Sequence, residues 1–171
     1  MHNDAIRLTV LYDNYSSAEG TRADWGFACL VEGLDRTILF DTGADSSILK
    51  QNMNILRVDP SSIDQIVISH MHWDHTGGLD YILGRTKHAT VFLPPGAEDS
   101  FVEKIKSENH QVRQYKDPQA IQDNVFLSGE LGVAIREQSL IIDTSEGLIV
   151  LTGCSHPGIT DILRRARTII D

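Results

Sequence analysis

Residues 70–75 read HMHWDH, three imidazoles and a carboxylate within six positions, directly after the apolar run IVIS. The chain holds seven histidines in 171 residues, so this triple spacing would arise by accident in roughly one chain in a hundred of that composition. A fold that carries it must bring a short buried strand, Ile66 to Ser69, up to a loop that exposes ring nitrogens. His70 and His72 are two apart, so in an extended segment both side chains point the same way and can share one ion. Asp74 and His75 follow on a turning backbone and aim at a second point. Imidazole nitrogen and carboxylate oxygen suit a borderline-soft divalent metal. Gly77 and Gly78 then let the backbone bend tightly before the next helix.

Sites of this kind draw on several strand-end loops along one edge of a sheet. The stretch LIVLTGCSHPGI places His156 just past another apolar run. It is a candidate third imidazole for the ion of His70 and His72, the plainer alternative being a cap on the following helix. Cys154 reads as a small buried residue in a tight turn, with metal ligation as its alternative. Asp41, in LFDTG, stands at a third strand end, either accepting a ring N–H from a ligating histidine or serving as an ordinary turn aspartate. His2, His88 and His110 lack such company and read as exposed, and Glu130 and Glu137 read as solvent-facing, a place facing the site being the alternative.

The remaining elements follow from periodicity and turn residues. Alternation predicts a strand over 6–13, and two more in WGFACLVEG and RTILFDTG form a hairpin across Gly33–Asp35. ADSSILKQNMNIL predicts a helix capped by Asp45 or Ser46. GGLDYILGR predicts a short helix, ATVFLP a strand and GAEDSFVEKIKSEN an amphipathic helix. QVRQY and NVFLSG predict short strands, and QSLIIDTSEGLIVLTG a hairpin turning at Thr144–Gly147. ITDILRRARTIID predicts a closing helix. Strands with interspersed helices give an α/β or α+β class, and 171 residues fit a single domain over 1–171.

The net charge of −9 argues against nucleic acid as a partner. The one basic cluster, RRAR at 164–167, complements the dipole of its helix. No apolar run has the length to cross a bilayer, and the N-terminal stretch has no signal-peptide pattern, which makes a cytoplasmic protein without membrane contact the expectation. No nucleophile elbow, phosphate-binding loop or dinucleotide fingerprint appears.

Taken together, ILFDTG, ISHMHWDHTGGL and VLTGCSHPGI resemble the metallo-β-lactamase-fold superfamily. Within it they resemble the 7,8-dihydropterin-6-yl-methyl-4-(ribofuranosyl)aminobenzene-5′-phosphate synthase-like branch, over a span from about residue 6 onward. The resemblance implies an αββα sandwich with two metals at one edge. His70, His72 and His156 would match the first metal's ligands, Asp74 and His75 the second's, and Asp41 the buried aspartate beneath them. Relatives in this branch continue into a GGFH-like segment and an HCTG-like histidine that completes the second metal site, and neither occurs in these 171 residues. The resemblance therefore implies a C-terminally short, incomplete sandwich. Its bare apolar face would be covered by self-association or by a partner.

The chemistry expected of such a site is hydrolysis. A divalent ion makes hydroxide available near neutral pH by lowering the pKa of water from about 15.7 to about 7. Asp74 would be both ligand and catalytic acceptor for the nucleophile. An ester, lactone, amide or phosphoester of a small-molecule substrate would be cleaved with one or two zinc ions, iron or manganese being alternative metals. The competing reading is a non-catalytic metal-binding or assembly module with one structural ion; a third keeps the fold but uses iron for redox work.

Overall fold

A computed structural model describes residues 5–16 and 18–170; His2, read above as exposed, lies outside them. Two sheets form. The larger has the order β1 (Arg7–Tyr12), β2 (Ala28–Glu32), β3 (Ile38–Phe40), β4 (Gln65–Val67), β5 (Thr90–Phe92) and β6 (Gln111–Arg113). Its first three strands are antiparallel, whereas β3 to β6 run parallel. The smaller sheet is an antiparallel meander of β7 (Gln119–Gln122), β8 (Val125–Leu127), β9 (Leu140–Thr144) and β10 (Gly147–Leu151). Among the described residues, no helix is long and apolar enough to cross a membrane.

The central strands read as unbroken apolar runs because they are buried on both faces. Leu39, Ile66, Ile68, Val91 and Leu93 belong to one core with Ile48, Leu49 and Met53 of α1 (Ser46–Ile55). The same core takes Ile82 of α3 (Leu79–Leu83) and Val102 and Ile105 of α4 (Asp99–Ser107). The alternate residues Ile38, Phe40, Val67 and Phe92 pack instead with Val125, Leu127, Leu140 and Ile142 of the smaller sheet. The two-residue period of a strand therefore serves two cores at once. A last helix, α5 (Ile159–Ile170), lies against β10 and buries Ile162 and Ala166. The layers run helix, sheet, sheet, helix, the expected αββα order.

The elements expected from the sequence form, though β2 and α4 begin three residues later than expected and β3 ends three residues earlier, and the Asp45 cap accepts from the Ser47 and Ile48 amides. Three elements carried no signal, one of them a 3-10 turn over Pro60–Ser62. The motif itself winds into a short helix, α2 (Trp73–Thr76), and β7 adds an edge strand. The second layer is thin. Leu8 and Val10 lie opposite Val31 and Cys29 in the β1–β2 ladder, and so share the face turned towards the small sheet. They remain 41% and 49% exposed, since among the described residues no strand of that sheet covers them. His110, expected on the surface, is buried, because its Nδ1 accepts the Ala89 amide where β6 enters the sheet.

Candidate metal centre

Parallel strands place their C-terminal ends on one edge, so Asp41 after β3 and Ser69–His75 after β4 meet there. Thr152–His156 after β10 joins them. Gly153 permits this approach: a Cβ on it would run into the Ser69 side chain and press on His70 Nδ1. Gly77 and Gly78 do a similar job. Both have ordinary negative φ, −64° and −89°, so the tight bend expected of them is open to any residue. A Cβ on Gly77 would strike the Ala44 carbonyl, and one on Gly78 the Thr42 carbonyl. Close packing of α2 and α3 against the Asp41–Ala44 loop is what requires the glycines. The loop is fastened there by Thr42, whose amide and hydroxyl both donate to the His75 carbonyl, at 2.9 and 2.8 Å.

Asp41 is fully buried, with its backbone in the left-handed region at φ 57°. That turn directs its carboxylate beneath the motif, where Oδ1 accepts the Ser69 amide at 2.7 Å. Oδ2 accepts both the Ser69 hydroxyl and the His75 Nδ1–H, each at 2.7 Å. Since the Ser69 hydroxyl spends its proton on Asp41, it accepts from His70 Nδ1, 2.9 Å away. One carboxylate thus fixes the tautomers of two imidazoles and turns both Nε2 lone pairs towards the site, where they face His72 Nδ1 and Cys154 Sγ. Burial pushes the Asp41 carboxyl up, and its His75 and Ser69 donors pull against that. For His75, burial acts to lower the pKa, but Asp41, Asp74 and Glu137 outweigh it and the net shift is upward. His70 is pushed down to about 3 by burial and by the neighbouring His75, His72 and His156 rings, so it is neutral and able to donate a lone pair.

Two donor groups result. The rings of His70, His72 and His156 cluster, with centroids 4.5, 4.8 and 5.0 Å apart and His70 Nε2 3.1 Å from His72 Nδ1; the ligand atoms of His70, His156 and Cys154 all lie within 4.8 Å of one another. Asp74, His75 and Cys154 surround a second point: His75 Nε2 is 3.4 Å from Asp74 Oδ2 and 3.2 Å from Cys154 Sγ. Ligand atoms held about 2.0–2.3 Å from one tetrahedral ion are themselves separated by roughly 3.3–3.7 Å. The edges, 3.1, 3.2 and 3.4 Å, lie at or just below that range, and the donor chemistry fits zinc or a similar divalent metal. All six metal and catalytic residues expected from the sequence, Asp41 included, converge at this edge.

Three expectations are corrected. Cys154 is exposed rather than buried, because it sits at the outer rim of the loop. Burial and the charges of Asp74, Glu137 and Asp41 raise its thiol. Glu137, expected in solvent, is 1% exposed. Its Oε1 accepts from the Thr152 hydroxyl at 2.8 Å and the Ser155 amide at 3.1 Å, and Oε2 accepts the His156 amide at 3.0 Å. It braces the loop that presents His156 and Cys154. Glu130 is largely covered as well, with 6% of its side chain accessible, and pairs with Arg136. The one sequence signal for Glu137 is its place immediately before the buried run QSLII, where a solvated acid would be out of keeping.

This arrangement, an αββα sandwich with two groups of divalent-metal donors at one sheet edge, defines a class of metal-binding hydrolase folds. The chain belongs to the metallo-beta-lactamase superfamily, whose family model matches residues 26–156. It is 27% identical to the 7,8-dihydropterin-6-methyl-4-(beta-D-ribofuranosyl)-aminobenzene-5′-phosphate synthase of Methanocaldococcus jannaschii, over 95% of this chain and 72% of the relative. It is 29% identical to the ribonuclease Z of Pediococcus pentosaceus, over 68% of this chain and 37% of that protein. The fold matches a crystal structure of a putative metallo-beta-lactamase from Thermotoga maritima with a TM-score of 0.61 and 21% identity, over 97% of this chain and 90% of the other. Members of the superfamily are typically metal-dependent hydrolases and usually bind zinc or another divalent metal.

Proposed function

We propose that this chain is a metal-dependent hydrolase acting on an ester, lactone, amide or phosphoester bond of a small molecule. The observation that carries the reading is accessibility. Asp74, His75 and Cys154 line an open groove together with Asn14, Trp25 and Phe27. A structural ion is enclosed by its ligands, whereas a catalytic one keeps a position open to water and substrate. That contrast favours the hydrolase over an assembly module with one sealed ion.

A divalent ion held by either donor group would make hydroxide available at neutral pH and would polarise the bond under attack. The chain's own residues do the rest. Asp74, with one oxygen facing His75, accepts a hydrogen bond from the attacking water and orients it. Asp41 keeps the His75 and Ser69–His70 protons on the side away from the site, so neither ring can rotate its lone pair out of place. Trp25, 61% exposed, walls the groove with a flat apolar surface against which a substrate ring can lie. The names of two relatives, a phosphate synthase with a pterin group and a ribonuclease, make a phosphoester the first bond to try.

The test is a panel of chromogenic substrates (a phosphodiester, a carboxylic ester, a lactone and an anilide) given to the zinc- or manganese-loaded chain. Turnover of at least one, lost by about 100-fold or more in Asp74→Ala and on chelation, is the expected outcome. No turnover by protein shown to hold its metal would overturn the reading in favour of the metal-binding module.

A further inference from the structure

Among the described residues, Asp74 and His75 offer two donors to the second point, and proteins hold zinc with three to four. The third donor in the same cluster is a thiol. Cys154 Sγ lies 3.2 Å from His75 Nε2, and its ligand atom and those of Asp74 and His75 all lie within 4.8 Å of one another. Cys154 Sγ also lies within 4.8 Å of the donor atoms of His70 and His156, which puts it between the two groups. Three features hold it there. Gly153 lets the loop press against Ser69 and His70, Ser155 takes a left-handed φ of 57°, and Glu137 grips the amides of Ser155 and His156. The loop could satisfy its backbone without a sulfur; the sulfur's position is what points to a ligand.

We propose that Cys154 is a metal ligand of this chain, its thiolate joining Asp74 and His75 at their site and facing the His70–His156 site from the other side. This rests on the metal-dependent reading above. On binding, the S–H bond breaks, the proton passes to solvent, and the sulfur lone pair forms the bond to the ion; no oxidant or reductant is involved. A soft thiolate at this point selects zinc, or cobalt as its stand-in, over manganese and magnesium, which prefer oxygen donors. Cys29 cannot substitute for it, being 1% exposed inside β2.

The experiment uses the full chain, stripped of metal and titrated with Co²⁺ alone while absorbance is followed. Thiolate-to-cobalt charge transfer gives an intense near-ultraviolet band that imidazole and carboxylate ligands do not produce. The band is expected in the wild type and in Cys29→Ala, together with two bound ions per chain. In Cys154→Ser the band should vanish, and affinity for one of the two ions should fall by at least about tenfold. Two cobalt ions bound by the wild type without the band would overturn the thiolate ligand and leave the hydrolase reading intact. No cobalt bound at all would overturn both. Because the band is read on the wild-type chain, the result does not depend on the variant's folding.

Discussion

Asp41 Oδ2 and His75 Nδ1 lie 2.7 Å apart, between a carboxylate with no exposed surface and a ring with 2% of its surface exposed. Through Ser69 the same carboxylate also governs His70, so one buried charge holds an imidazole in each donor group. Asp41→Asn keeps the shape but replaces half of the acceptor capacity with a donor. The expected result is a chain that still folds and binds metal about 10- to 100-fold more weakly, measured by competition with a chromogenic chelator. Unchanged affinity would mean that the rings are held by packing alone.

Glu137 tests the other side of the site. Glu137→Gln retains an acceptor for the Thr152, Ser155 and His156 donors, whereas Glu137→Ala strands three donors that the side chain now satisfies. Leaving a buried donor unpaired costs about 1–3 kcal/mol, and less per donor here, because these three bonds are only partly buried. Urea unfolding should show the alanine variant losing about 2 kcal/mol or more and the glutamine variant clearly less. Equal losses would show that volume, not hydrogen bonding, is what matters there.

Gly153→Ala should act through close approach rather than backbone conformation. The added Cβ meets Ser69 and His70, so a lower melting temperature and weaker metal binding should appear together. Gly96→Ala is the matched control, since nothing lies within 4 Å of its Cβ. Differential scanning fluorimetry with and without zinc separates the two variants. A Gly153→Ala chain with normal metal affinity would contradict the packing described.

The two thiols should titrate and react differently. Burial pushes the Cys29 thiol up to about 11, while Cys154 is exposed. At pH 8 a thiol reagent should label one cysteine per metal-free native chain and two in denaturant. The unfolded Cys29 ionises near pH 9, whereas the native one holds its proton until about 11. The unfolded state therefore binds fewer protons in that window, and stability falls as pH rises through it. The loss attributable to Cys29 approaches roughly 2–3 kcal/mol at the upper end, and denaturant midpoints at pH 8, 9.5 and 10.5 for wild type and Cys29→Ala would expose it.

The sequence by itself determined the donors and the frame that carries them. His70, His72, Asp74, His75 and His156 stand at fixed spacing beside apolar runs, and those runs became β4, β9 and β10 because their length and β-branched content leave little other choice. Local patterning also placed the Asp45 cap and the amphipathic faces of α1 and α4. Tertiary structure decided what lies beside each residue at long range. Glu137 became the brace of a loop fifteen to nineteen positions later in the chain, and Cys154 met a histidine 79 positions away. His110 was buried by pairing with Ala89, and Gly77 and Gly78 were needed for contact with another loop rather than for a bend. The reason is physical: periodicity along a chain reports which face of an element avoids water. Which carboxylate, thiol or carbonyl occupies that dry space depends on strand order and on packing between layers, and neither is encoded in any local window.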